Sequence, residues 1–162
     1  IGSLNSRAHS MGTDHIKAQM LAMRRYDLIV IMTGANDIFT IKDVPTYLNK
    51  IIALHRKALP KAPILIVTPS DRGKGRSYYL TINIVKQREV IAKANNLALF
   101  DLWQAMGGRE SMDKFYRRGL AMSDYIHFNK AGGSWAGDRI LSALWRELGD
   151  YTKANPQAGC AK

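Results

Sequence analysis

The sequence carries a single cysteine, Cys160, among its 162 residues, so it can form neither an internal disulfide framework nor a cysteine-cluster metal site. Long apolar runs are missing as well. The longest, Leu28–Met32, is strand-sized and falls far short of the roughly 20 residues a helix needs to cross a bilayer. The chain opens directly on Ile1-Gly2-Ser3-Leu4-Asn5 instead of a leader-like stretch, but without an initiating methionine Ile1 does not read as a native start, so this says nothing of the parent protein's compartment. Acidic residues are scarce, 13 against 24 Lys and Arg, for a formal net charge of +11. Such a field favours polyanions such as nucleic acid, acidic polymers or phospholipid surfaces. The cations are nonetheless scattered, at Arg24-Arg25, Arg56-Lys57, Arg72 to Arg76 and Arg117-Arg118. They form no long block and are not interleaved with aromatics along one surface, which argues against specific nucleic-acid recognition. His9 and His15 flank Ser10-Met11-Gly12 without an acidic partner at ligand spacing, so no metal is expected, and nothing calls for a cofactor.

What is present is an alternation. Leu28–Met32, Ile64–Thr68 and Leu97–Leu102 are nearly continuous apolar runs, as strands buried on both faces read. Amphipathic stretches separate them: from Thr13 or Asp14 to about Tyr26, from Val44 to Leu59 ahead of Pro60, and from Leu80 to Asn95. A last helix is expected over Gly133 to Leu148 with Ile140, Leu141, Leu144 and Trp145 facing inward. Strands alternating with helices imply βαβ units, a parallel sheet covered on both faces, and chemistry at the carboxyl ends of its strands. The loops to inspect are therefore Thr33–Thr40, Pro69–Tyr79 and Trp103–Asn129. Asp71 to Ser77 reads as a polar, mobile, glycine-rich loop. The organisation is one domain over 1–150 and a flexible tail over 151–162, without internal repeats.

Directly after the first strand comes Gly34-Ala35-Asn36-Asp37. Glycine permits the sharp exit, and the Asn36 amide can donate hydrogen bonds. One reading is an Asx-capped turn; the other is an oxyanion donor. Asp37 is expected to orient this loop through local hydrogen bonds. Near the other end, Asp124 and His127 stand three apart in Asp124-Tyr125-Ile126-His127-Phe128-Asn129-Lys130-Ala131-Gly132. Within one turn the carboxylate can fix the imidazole tautomer, making His127 a general base; the alternative is a capped turn with His127 packed beside Tyr125 and Phe128. Trp103, Tyr125 and the Phe115-Tyr116 pair could wall a sugar ring or simply pack. His55 reads as a surface residue.

Taken together, the GAND and DYIHFNKAGG segments resemble two sequence blocks of the SGNH hydrolases, the GDSL-type esterases. The resemblance implies a flavodoxin-like three-layer α/β/α sandwich with a parallel sheet. It also implies that Asn36 is an oxyanion donor, supported by Gly34, and that Asp124 and His127 are the acid–base pair. Trp103-Gln104-Ala105-Met106-Gly107-Gly108, followed by Gly119 to His127, is similar to the branch that includes peptidoglycan O-acetylesterases. Ile1 to Ala8 resembles the branch's glycine-bearing oxyanion block, with Asn5 where that glycine stands, so Gly2, Asn5 or Ser6 would supply a second N–H. The family's GDS serine and its strand are absent; Gly2-Ser3-Leu4 is similar to it only superficially, since no strand precedes Ser3.

The expectation is a serine esterase removing acetyl or another short acyl group from a cell-envelope polysaccharide, periplasmic or extracellular, its nucleophile upstream of Ile1. Anionic envelope polymers are further partners suggested by the charge. The rival is a non-catalytic carbohydrate- or polyanion-binding pseudoenzyme on the same fold.

Overall fold

The computed structural model describes residues 23, 26–37, 42–73 and 77–156. Most of the helix expected to reach Tyr26 lies outside these residues, as do Gly2, Ser3, Asn5 and Ser6.

Three strands, β1 (Ile29–Ile31), β2 (Ile64–Val67) and β3 (Ala98–Phe100), form a parallel sheet in the order β1-β2-β3. Ile29 pairs with Ile64, and Leu65 with Ala98. Two helices cross between them: α1 (Val44–Ala58) and α2 (Ser77–Ala94). The segment after β3 is not one long loop as expected. It holds two short helices, α3 (Leu102–Met106) and α4 (Ser111–Arg117), ahead of the final α5 (Lys130–Ala154). Their apolar stretches are too short to show a helical period. Asp101 caps α3 by accepting the Gln104 N–H, and Gly107 closes it in the left-handed conformation that glycine adopts without strain.

The side-chain period of two sends each strand into two cores. Ile29, Ile31, Ile64 and Ile66 meet Leu48, Ile51 and Ile52 of α1 and Ile91 and Ala92 of α2. On the other face, Leu65 and Val67 meet Leu102, Met106, Met112, Phe115, Ala121 and Ala136. Helices on both faces of a parallel sheet make the three-layer α/β/α sandwich that the alternation of elements implies.

One expectation fails in register. In α5, Ile140 and Leu144 are partly buried against the second core, but Leu141 and Trp145 are 52% and 64% exposed. The buried side of α5 runs through Gly132 and Ala136, so an i, i+4 ladder from Gly132 leads to Ile140 and Leu144 and leaves Leu141 and Trp145 outside; Leu148, the next rung, and Tyr151 are exposed as well. Val30 of β1, which shares its sheet face with buried Leu65, is likewise 48% exposed. The helix also continues through Ala154, taking in the first residues of the expected tail.

The start of α5 is held tightly. Asn129 caps it through the Gly132 N–H (3.0 Å) and donates its amide to the Gly119 carbonyl (2.7 Å). A Cβ on Gly132 would collide with the carbonyl oxygen of Leu120. Gly132→Ala is therefore expected to destabilise the fold by about 1–3 kcal/mol, as overpacking does. Urea denaturation measures it; an unchanged midpoint would show that the two segments part freely.

Candidate active site

Three loops leave the carboxyl ends of the strands, and two buried groups fix them. After β1, Gly34 adopts φ +125°, and a Cβ there would press on Ile84, on the Arg88 guanidinium and on Pro69 at 3.2–3.4 Å. The Asp37 N–H closes the turn onto the Gly34 carbonyl (3.0 Å). The side chain of Asp37 does more than the local role expected of it. It is fully buried and pairs with Arg88 of α2, 51 positions away, at 3.1 Å. The same Arg88 nitrogen donates to Thr33 Oγ1 at 2.9 Å. Burial lowers the Arg88 pKa to about 10, with Asp37 opposing the fall, so the guanidinium stays charged at neutral pH. The pair thus clamps both ends of Thr33–Asp37 and holds Asn36 between them. The Asn36 carboxamide, half-buried, makes no hydrogen bond to a described residue.

After β2, Asp71–Gly73 are anchored; Lys74–Arg76, the middle of the segment expected to be mobile, lie outside the described residues. Buried Asp71 accepts the Trp103 indole N–H (3.2 Å) and the Met112 N–H (3.1 Å), tying this loop to α3 and α4. Arg72 Nη1 donates to the Ala35 carbonyl at 2.6 Å. Burial lowers the Arg72 pKa while the nearby Asp124 carboxylate pulls it back up. Gly73 donates its N–H to the Tyr125 carbonyl at 2.8 Å. Arg72 and Gly73, adjacent in sequence, therefore touch the residue before Asn36 and the residue after Asp124. The two candidate segments, far apart in the chain, meet across one dipeptide.

The third loop is a tight hairpin. Ala121 and Phe128 form an antiparallel bridge, and Met122 N–H donates to the His127 carbonyl at 2.8 Å. Inside it Asp124 is saturated: Oδ1 accepts the Ile126 and His127 N–H groups at 2.9 and 3.0 Å, and Oδ2 lies 2.6 Å from His127 Nδ1. An ionised carboxylate can only accept, so Nδ1 carries the proton and Nε2 presents its lone pair. The imidazole is open to solvent, its side chain 72% exposed. This is the arrangement a general base needs. His55, by contrast, is occupied by the Ile51 carbonyl at 2.7 Å. Trp103 is half-buried on Asp71, with Gly108 against its ring.

Arg72, Asp71 and Arg88 escape a reading of motifs. Arg88 alone left a signal: it interrupts the buried stripe Thr81, Ile84, Val85, Ile91, Ala92 of α2, and a cation in an apolar stripe implies a buried partner.

The chain belongs to the GDSL-like lipase/acylhydrolase family, whose model matches residues 2–134. Its fold is similar to that of a peptidoglycan O-acetylesterase, at TM-score 0.77 and 24% identity over 89% of this chain and 44% of that one. A carbohydrate esterase family 3 from Talaromyces cellulolyticus follows at 0.67 and 15% over 92% and 71%. The aryl esterase of M. smegmatis follows at 0.60 and 16% over 80% and 66%. Among curated proteins none matches. The chain spans less than half the length of the first of these structures.

Removing one member of the buried pair leaves the other charge unpaired. Arg88→Met is expected to cost about 3–5 kcal/mol in urea unfolding, with most of that loss recovered when Asp37→Leu is added. A single substitution within about 0.5 kcal/mol of the parent would contradict the clamp. The Asp124 carboxyl is held at about 2 instead of 3.8, first by the His127 ring and then by the N–H groups of His127 and Ile126. A depressed folded pKa stabilises above the unfolded value and is lost as pH falls through the folded one. The melting-temperature gap between the parent and Asp124→Asn should be full above about pH 4 and close towards pH 2; because the group is exposed, the gap is small. A gap constant from pH 5 to 2 would rule out the charge as its source.

Proposed function

We propose that this chain supplies the oxyanion donor and the acid–base pair of a serine esterase that removes acetyl, or another short acyl group, from a cell-envelope carbohydrate. The observation that carries this reading is the 2.6 Å contact between Asp124 and His127, set beside the Asn36 loop by Arg72 and Gly73. Family membership supports the reaction class, and the names of the peptidoglycan and carbohydrate esterases of like fold support the substrate class.

In this mechanism a serine hydroxyl contributed by sequence preceding Ile1 attacks the ester carbonyl. His127 Nε2 takes the hydroxyl proton, and Asp124 stabilises the imidazolium that forms. The Asn36 amide donates to the oxyanion; such a donor is worth about 3 kcal/mol where charge develops in the transition state. The tetrahedral species collapses, the alkoxide leaves with the proton from Nε2, and water then cleaves the acyl-serine by the same relay. The exposed apolar side chains of Val30, Met32, Leu141 and Trp145 support a role for additional chain, since exposed apolar surface is where such chain packs. A polymer of the envelope as substrate implies a periplasmic or extracellular setting.

In the full-length protein, His127→Ala should reduce kcat/KM for an aryl acetate by at least about a thousandfold. Asn36→Ala should lower kcat roughly a hundredfold with KM little changed. Near-normal turnover in the first would remove His127 from the mechanism, and a pure KM effect in the second would leave Asn36 a binding residue. A parent protein that turns over no ester would favour the carbohydrate-binding pseudoenzyme.

A further inference from the structure

Beside the Asp124–His127 turn lies a cleft of about 340 Å³ lined by Glu110, Asp113, Lys114, Tyr116, Arg117 and Tyr125. Its volume falls in the range of about 300–1,000 Å³ usual for small-molecule sites. Tyr116 and Tyr125 form its aromatic side, with centroids 4.5 Å apart and planes inclined at 43°. Tyr116 is 39% exposed. Two of the three non-glycine residues with positive φ among those described, Glu110 (63°) and Tyr125 (58°), line this one cleft. Backbone held in that region costs of order 1–3 kcal/mol and gathers at sites of function. Gly73 packs against two of these residues so tightly that a Cβ would stand 3.0 Å from Tyr125 Cβ and 3.1 Å from Asp113 Oδ1.

The charges are the informative part. The protein carries +11, yet this cleft sets two carboxylates against two cations and is balanced. A site for a polyanion would concentrate the prevailing sign. Balanced donors and acceptors beside an exposed aromatic face suit a neutral ligand with one apolar face and a rim of hydroxyl or amide groups. Tyr125 belongs to the same tight turn as Asp124 and His127, so a ligand seated here lies beside the turn that carries them.

We propose that the Tyr116–Tyr125 cleft is a subsite for a neutral pyranose unit of the substrate, adjacent to the acylated unit. It rests on the esterase reading for its biological setting, although the binding itself does not require turnover. The ring faces stack on the two tyrosines, while Asp113, Glu110, Lys114 and Arg117 exchange hydrogen bonds with the equatorial groups.

The test titrates the full-length protein with the tetramer of β-1,4-linked N-acetylglucosamine, by calorimetry and by amide chemical shifts. Saturable binding is expected, with shifts clustered at residues 110–117 and 124–126, weakened about tenfold or more by Tyr116→Ala and kept by Tyr116→Phe. In kinetics, Tyr116→Ala should raise KM for the O-acetylated tetramer about tenfold more than KM for 4-nitrophenyl acetate. Absence of binding, shifts located elsewhere, equal binding by Tyr116→Ala, or displacement of the tetramer by poly-glutamate from this cleft would each overturn the subsite. Shift mapping on the parent protein decides even if Tyr116→Ala does not fold. Tetramer binding without ester turnover would sink the esterase and keep the subsite; ester turnover without tetramer binding would do the reverse.

Discussion

A guanidinium shut away from water lies directly beneath the loop that carries Asn36. Arg88 reaches it from the middle of α2, and its charge is tolerable there only because Asp37 and Thr33 meet it. The cost of desolvating both ions is large, and such pairs rarely add net stability over an apolar pair of the same shape. What the pair provides here is position. With Thr33 and Asp37 tied to one helix, and with Gly34 pressed against the same guanidinium, the intervening turn has little freedom, and the backbone at Asn36 is held in place. Preorganised donors stabilise developing charge without reorganising during the reaction, and this is the property an oxyanion site needs.

The second constraint is the contact between loops. Parallel strands bring their carboxyl ends to one edge, but that alone leaves neighbouring loops free to splay. Asp71 prevents it on one side by holding α3 and α4, and Arg72 and Gly73 prevent it on the other by joining the Asn36 loop to the Asp124–His127 hairpin. The hairpin is rigid in its own right, because Asp124 accepts three hydrogen bonds within four residues. The imidazole is thereby oriented and still exposed to solvent.

Much of this was legible in the sequence, and for physical reasons. Nearly continuous apolar runs at Leu28, Ile64 and Leu97 read as strands of a parallel sheet, and all three form strands, although only β2 is buried along its whole length. Gly34-Ala35-Asn36 and Asp124–His127 stood out because a turn needs a glycine and a base needs a carboxylate at short range. Other features depend on contacts that no local pattern encodes. The helical phase of α5 was misjudged at Leu141 and Trp145 because a residue's apolarity says nothing about whether a layer lies over it. Asp37 reads as orienting its loop through local hydrogen bonds, since its partner Arg88 is 51 positions away. Arg72 sat in a run of charge and glycine that has the composition of a mobile loop, and only the tertiary arrangement gives it the Ala35 carbonyl and the Asp124 carboxylate. The tyrosine cleft depends on left-handed backbone at Glu110 and Tyr125, which side-chain identity does not announce.

The most direct measurement is the structure of the full-length protein after reaction with an alkyl phosphonate that mimics the tetrahedral intermediate. The proposed mechanism places the phosphonyl oxygen within about 2.7–3.1 Å of the Asn36 amide nitrogen and His127 Nε2 within hydrogen-bond reach of the modified serine oxygen. An adduct whose phosphonyl group lies away from the Asn36 loop, or a modified serine beyond the reach of His127, would contradict it.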